Sequence, residues 1–255
     1  MSGLIWLDAD TPIPEPEFAM PEGLVAAGAD LGVPRLIEAY SKGVFPWFNE
    51  GDPVLWWSPD PRMILGCDAF KASQSLRKKL RQIARHEREP GAKVVVTTDL
   101  AFRDVIRACA GPRATQAGTW ISGRIIDAYT QWHDLGQVHS VETWIDGELA
   151  GGLYGVCLGG FFFGESMFSW VPDSSKIALA YLVRFLGRHG VMHLDCQQNT
   201  RHLASLGART MPRSEFLALL REALDRPSPP WRAGQLLHDG QLMASGTQAP
   251  QAENE

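Results

Sequence analysis

Apolar residues return at helical spacing early in the chain, at 34–40. Leu36, Ile37 and Tyr40 follow Pro34, and Gly43 ends the run, which predicts a short helix with proline in its first turn. Before it, Pro12, Pro14 and Pro16 keep the chain extended. After it, Val44 to Phe48 and Leu55 to Arg62 are aromatic clusters on either side of Gly51-Asp52-Pro53, the pattern of a hairpin or paired loop. Leu76, Leu80 and Ile83 form the inner stripe of an amphipathic helix over 73–83. A buried strand is predicted at 94–98, followed by helices over 100–110, where Thr98 or Asp99 can cap, and over 121–135. The period then changes to two. Strands over 140–145, 148–158 and 161–167, joined by Asp146-Gly147 and Gly159-Gly160, make a three-stranded antiparallel meander. A helix over 174–188 closes at His189-Gly190, a strand covers 191–197, and helices cover 202–206 and 214–224 on either side of Pro212.

Helix, helix, meander, helix, strand, helix is the order of an α+β protein with a mixed, mostly antiparallel sheet. The 255 residues divide into a small N-terminal domain (1–70), a larger catalytic domain (71–233) and a C-terminal tail (234–255) expected to be flexible. The larger domain resembles the acetyltransferase-like (GNAT-like) fold in its strand order. That fold carries a glycine-rich turn for the coenzyme A pyrophosphate between the third meander strand and the next helix. Here the junction reads Met167-Phe168-Ser169-Trp170-Val171-Pro172-Asp173-Ser174-Ser175, without those glycines.

Net charge, −5, argues against a polyanionic partner, but its distribution argues the other way. The first sixty residues are strongly acidic, whereas 71–93 holds Arg77, Lys78, Lys79, Arg81, Arg85 and Arg88 against two glutamates. Several of the nine tryptophans, including Trp47, Trp56, Trp57 and Trp120, lie in polar or proline-rich contexts where a flat ring can meet a ligand. The four cysteines are scattered and contain no C-x-x-C pair, so reduced thiols and no metal site are expected. The first residues lack the basic start and apolar run of a secretory signal, and no uncharged run reaches the roughly 20 residues of a membrane helix. A cytoplasmic protein is expected.

The residues that can carry chemistry are Glu165, set beside Phe161-Phe162-Phe163, and Asp195 with Gln197 in the next strand. An ionised carboxylate in apolar surroundings is costly unless it is paired, protonated or used. Alternation predicts Phe161, Phe163, Glu165 and Met167 on one face, and Asp195 and Gln197 about 7 Å apart on one face of theirs. Two carboxylates and an amide around an apolar cavity suit an ammonium group on a greasy side chain. A plainer reading pairs Glu165 with an arginine such as Arg113 or Arg124. A hydrolase is disfavoured, because Gly164-Glu165-Ser166-Met167-Phe168 lacks the last glycine of a nucleophile elbow.

Longer blocks carry a specific resemblance. Gly43-Val44-Phe45-Pro46-Trp47-Phe48, Leu55-Trp56-Trp57-Ser58-Pro59-Asp60-Pro61-Arg62, Thr119-Trp120-Ile121, His139-Ser140-Val141-Glu142, Phe162 to Ser169, and Leu194-Asp195-Cys196-Gln197 resemble the bacterial leucyl/phenylalanyl-tRNA–protein transferases in order and spacing. The match runs from about Pro12 to Leu217, with Ala29 and Leu153 as departures. The resemblance implies transfer of leucine or phenylalanine, and less readily methionine, from aminoacyl-tRNA to proteins with N-terminal Arg or Lys, marking them for degradation. It implies Asp195, Gln197 and Glu165 as the catalytic group, and Trp120, Tyr129, Leu153, Phe162, Met167 and Leu194 as the amino-acid pocket. Trp56 and Trp57 become the platform for the terminal adenosine, and Arg77, Lys78, Lys79, Arg81 and Arg85 the holders of tRNA phosphates. No cofactor (metal, ATP or coenzyme A) and a monomer are expected. A coenzyme A-dependent N-acetyltransferase is the alternative enzyme, and a tRNA-binding module without catalysis the alternative of another class.

Overall fold

The structure, a computed structural model, describes residues 4–111 and 120–244. Four short strands, β1 (Trp6–Leu7), β2 (Leu24–Gly28), β3 (Phe45–Pro46) and β4 (Leu55–Trp57), form a small sheet in the order β1-β2-β4-β3, with α1 (Val33–Ser41) between β2 and β3. The two aromatic clusters thus pair as antiparallel strands, as their turn predicts.

The larger sheet holds β5 (Arg62–Gly66), β6 (Val94–Thr98), β7 (Val138–Ile145), β8 (Glu148–Leu158), β9 (Phe161–Ser169), β10 (His193–Gln197), β11 (Arg209–Met211), β12 (Gly234–Leu236) and β13 (Leu242–Ala244). Its order is β11-β5-β10-β9-β8-β7-β6-β12-β13. The meander β7-β8-β9 is its centre, with the expected turns. Only β9 and β10 run parallel in this sheet, and they pair only at Phe162–Phe163 against Leu194–Asp195. Beyond those residues no ladder joins them, and Gly164 to Met167 and Cys196 to Gln197 instead line an opening.

Two apolar layers sandwich this sheet. On one face α3 (Phe102–Ala110), α4 (Gly123–Asp134) and α7 (Arg213–Leu224) share a continuous core with the small sheet and α1. On the other, α2 (Gln74–His86) and α5 (Ser174–Arg188) pack through Leu76, Leu80, Ile83 and much of α5. Ser73 caps α2 by accepting from the Leu76 N–H, so the amphipathic stripe at 73–83 forms as predicted. A short α6 (Arg201–Ser205) follows β10.

Two expectations about boundaries are corrected. Residues 234–244 are not a flexible tail: β12 pairs with β6, and Leu236 and Leu237 are fully buried. The polar flanks Pro227 to Pro230 and 246–255 concealed a short apolar strand; residues 245–255 lie outside those described. The boundary at 70 is also too late, since Arg62–Gly66 pairs with β10 and β11 in the larger sheet.

Candidate active site

Glu165 occupies a break in the β8–β9 ladder. Tyr154 pairs with Ser166 but Gly155 with Gly164, so Glu165 is the extra residue of a β-bulge. The bulge shifts the parity of the strand: Phe161 and Phe163 pack on the small-sheet side, whereas Met167 joins Phe162 on the α5 side. The one-face grouping expected from alternation is therefore wrong at Met167. Gly155 allows the close packing opposite, since a Cβ there would lie 2.5 Å from the Phe162 ring and 2.2 Å from the Phe163 carbonyl oxygen.

At the bulge the Glu165 carboxylate is enclosed. Its Oε1 accepts from the Tyr40 hydroxyl at 2.7 Å and from Gln197 Nε2 at 3.0 Å, while Oε2 is buried without a hydrogen bond among the described residues. Tyr40 gives its proton to Glu165, so the Tyr129 hydroxyl, 2.5 Å from that of Tyr40, is the donor between the two. Burial pushes the Glu165 carboxyl up to about 7, with the Asp195 charge adding to the effect; the Tyr40 and Gln197 hydrogen bonds and Arg62 oppose it. Of the two arginines expected as partners, Arg124 has its guanidinium 5.3 Å from the centre of the Phe48 ring, and Arg113 lies outside the described residues.

Asp195 is held differently. It is fully buried against an equally buried Arg62, whose Nε meets Oδ1 at 2.9 Å and whose Nη2 meets Oδ2 at 2.6 Å. The remaining guanidinium nitrogen donates to the Gly43 carbonyl, and the Phe45 and Phe216 rings flank the cation at 4.9 and 4.4 Å. Asp195 Oδ1 also accepts the Gln197 backbone N–H at 2.7 Å. That bond fastens Gln197 in the left-handed region, at φ 59°, where a residue with a side chain is strained. A second register shift falls at this point, between Asp195 and Gln197 against β5. The amide of Gln197 reaches Glu165 because Asp195 bends the backbone toward it, not because of strand alternation.

These groups border a cavity of about 690 Å³, open at one side. Its apolar wall includes Trp120, Leu153, Phe162, Met167 and Leu194; its polar end is Glu165, Asp195 and Gln197. Trp47 and Asn49, next to β3, stand at the same opening. The family model described as leucyl/phenylalanyl-tRNA protein transferase matches residues 64–221, and the model of that family's N-terminal domain matches 29–60. The leucyl/phenylalanyl-tRNA–protein transferase of Bordetella avium is 57% identical over 245 residues, covering 95% of this chain and 98% of that protein. The one from Bordetella petrii is 59% identical over 241 residues, or 94% and 95%.

This chain belongs to the leucyl/phenylalanyl-tRNA protein transferase family. Among solved structures, L-PGS from Bacillus licheniformis overlaps 66% of this chain and 65% of its own at 14% identity, with a TM-score of 0.38, a resemblance too loose to bear on the site.

Within the family framework the expected residues sort into three groups. Glu165, Asp195, Gln197, Trp120, Leu153, Phe162, Met167 and Leu194 converge on the cavity. Tyr129 does not line it; fully buried, it stands behind Tyr40. Trp56 is a correction: it has no exposed surface, and its indole N–H donates to the Gly28 carbonyl, so it offers no face to a base. Trp57 is half-buried and buttresses Trp47, donating to the Trp47 carbonyl with the two rings edge to face at 5.8 Å. Neighbours in a strand point to opposite faces, so Trp56 and Trp57 cannot form one platform. Trp47, 40% exposed, lines the cavity beside Trp120. Among the basic residues Arg77, Lys78, Arg81 and Arg85 are exposed, whereas Lys79 is paired with Asp173 at 2.8 Å.

The sequence reading missed Arg62 and Tyr40. Arg62 ends a matching block and Tyr40 lies in the first helix, but only the fold reveals that an arginine after β4 and a tyrosine in α1 reach the two carboxylates.

Proposed function

We infer that the protein transfers leucine or phenylalanine from aminoacyl-tRNA to the amino terminus of an acceptor protein. The observation that carries this reading is family membership over nearly the whole chain, coupled to a cavity with an apolar wall and a fixed amide and carboxylate at one end. The apolar wall takes the leucyl or phenylalanyl side chain and, less readily, methionyl. Shape disfavours β-branched residues, with about 1–3 kcal/mol available per methylene.

The aminoacyl ester is already activated. The acceptor's α-amino nitrogen attacks the ester carbonyl carbon, the bond to the terminal ribose oxygen breaks, and the proton lost by nitrogen ends on that oxygen. An α-amino group with a pKa of about 7.7–8 is partly neutral at pH 7, so alignment supplies most of what the reaction requires. No metal, ATP or coenzyme A takes part. Gln197 contacts the reacting groups, and Glu165 holds an ammonium group. Asp195 is a positioning residue: accepting a proton would disrupt its contacts with Arg62 and the Gln197 N–H. The acceptor begins with Arg or Lys, whose cation suits the acidic end of the cavity, and the product is marked for degradation in the cytoplasm by a protein acting as a monomer. A GNAT-like larger domain fits the parting of β9 and β10 around the site.

Trp47 stacks on the terminal adenine. Trp47→Ala is expected to raise the KM for leucyl-tRNA roughly 5- to 150-fold with a smaller change in kcat, since a base stacked on an aromatic ring contributes about 1–3 kcal/mol. Incubation with leucyl-tRNA, acetyl coenzyme A and an Arg-initiated peptide tests the whole reading. Leucyl-peptide is the expected product; acetyl-peptide alone, or tRNA binding without product, would overturn it.

A further inference from the structure

The cavity is walled in part by Phe162, whose ring has no exposed surface. How far such a wall yields to a ligand depends on what stands behind it. From β8 the Gly155 backbone presses on the ring so closely that a Cβ there would lie 2.5 Å from it. On another side is the Trp231 indole, 5.9 Å from centre to centre and inclined by 31°.

Trp231 is itself fixed. Its ring lies flat on that of His139, at 4.1 Å and 5°, and His139 Nδ1 faces the Asp99 carboxylate at 2.8 Å. The Phe185 ring of α5 meets the indole edge to face at 4.7 Å, and the same helix carries Leu179 and Leu182 to the cavity. The adjoining backbone is anchored too: the Arg232 carbonyl accepts from the Thr98 hydroxyl at 2.7 Å, and the pairing of β12 with β6 begins at Gly234. Asp99, His139 and Trp231 thus form a file that backs the Phe162 ring. Neither matched region reaches Trp231, since the family model ends at residue 221.

Protein interiors are packed as densely as organic crystals, so a ring with an indole behind it has nowhere to retreat. A smaller side chain at 231 would leave space that its neighbours fill only in part, and Phe162 could swing into it. A phenylalanyl ring reaches further from its Cα than a leucyl side chain does, so added depth favours phenylalanyl.

We propose that Trp231 is a positioning residue for amino-acid selection: it fixes the Phe162 ring and so sets the depth of the pocket. This rests on the function inferred above and adds the C-terminal segment to what distinguishes leucine from phenylalanine. The test is the affinity, by calorimetry, of two adenosines that carry leucine or phenylalanine in amide linkage at the 3′ position and bind without reacting. In the full chain, Trp231→Leu is expected to raise the ratio of phenylalanyl to leucyl affinity about tenfold, the lower end of what one methylene commands in an apolar pocket. Trp231→Phe, which keeps a ring against His139, should shift the ratio the same way by about threefold, and it carries the test if the leucine variant does not fold. Trp170→Leu, at an exposed ring outside the cavity lining, is the control. A core residue without a part in selection would weaken both ligands alike, so a ratio that stays at the control value in the folded variants overturns the proposal. Phe162→Leu tests the route: in that background Trp231→Leu should alter the ratio by less than about twofold, because the ring it acts through is gone. An undiminished change there would overturn the proposal as well. Leucine transfer is assayed in parallel. A shifted ratio without transfer by the native chain would sink the inferred activity and leave the role of Trp231, transfer with an unshifted ratio would do the reverse, and binding of neither adenosine would overturn both.

Discussion

Arg62→Met is expected to destabilise the protein by about 3–5 kcal/mol and to abolish measurable transfer, because it leaves the Asp195 carboxylate buried without its cation. The loss extends beyond one ion pair. Arg62 also ties β5 to the Gly43 carbonyl between α1 and β3, and lies between the rings of Phe45 and Phe216, so it joins both sheets and α7 at one point. Asp195→Ala should be comparably unstable, since it leaves the buried guanidinium without its carboxylate. The two-residue variant Arg62→Met with Asp195→Leu separates structure from function. Replacing a buried pair by apolar groups of similar size is often close to neutral, so urea unfolding should regain much of the lost stability. Transfer should not return, because the Gln197 N–H still lacks the acceptor that holds it at positive φ. Recovery of both stability and kcat would show that Asp195 has no positioning role.

What the sequence made legible follows from how local the causes are. The meander, the stripe on α2 and the limits of α5 depend on period, turns and caps, all of which are short-range. The carboxylates at Glu165 and Asp195 stood out because charge amid apolar residues is itself a local signal. The bulge at Glu165 was not legible: an inserted residue leaves the apolar alternation of 161–167 looking regular, and the parity change appears only against β8. Trp56 and Trp57 show the same limit, since one of two adjacent rings must face inward and the partner strands decide which. Arg62 and Asp195 meet across 133 positions of chain, a separation that no spacing argument spans. The strand at Gly234–Leu236 was not legible because a strand of three residues is too short for alternation to register.

The pH dependence of Glu165→Gln should separate a carboxylate that binds an ammonium group from one that only fills space. The groups facing Glu165 are Tyr40 from α1 and Tyr129 behind it, with Gln197, Asp195 and, at the far side of Asp195, Arg62; His202 lies elsewhere on the cavity wall. Burial holds both tyrosines well above their ordinary range, so neither ionises near neutrality. With the Glu165 carboxyl at about 7, the native enzyme should gain kcat/KM as pH rises through 7, and again as the acceptor amine loses its proton at about 8. Glu165→Gln should lower kcat/KM by at least about tenfold and remove the lower of the two limbs, leaving the one near 8. Stability should move in the opposite direction. The folded carboxyl binds its proton more tightly than the unfolded one, whose value is near 4.5, so the folded state holds the extra proton between about 4.5 and 7. The stability contributed by that proton is fully present below 4.5 and is lost as pH rises through 7, a decline of a few kcal/mol at most. Glu165→Gln has no proton to lose, so its stability relative to the native chain should rise from pH 5 to pH 8. A constant difference in urea midpoint across that range, with the lower kinetic limb still in place, would mean that Glu165 stays ionised throughout and that its bonds to Tyr40 and Gln197 outweigh its burial.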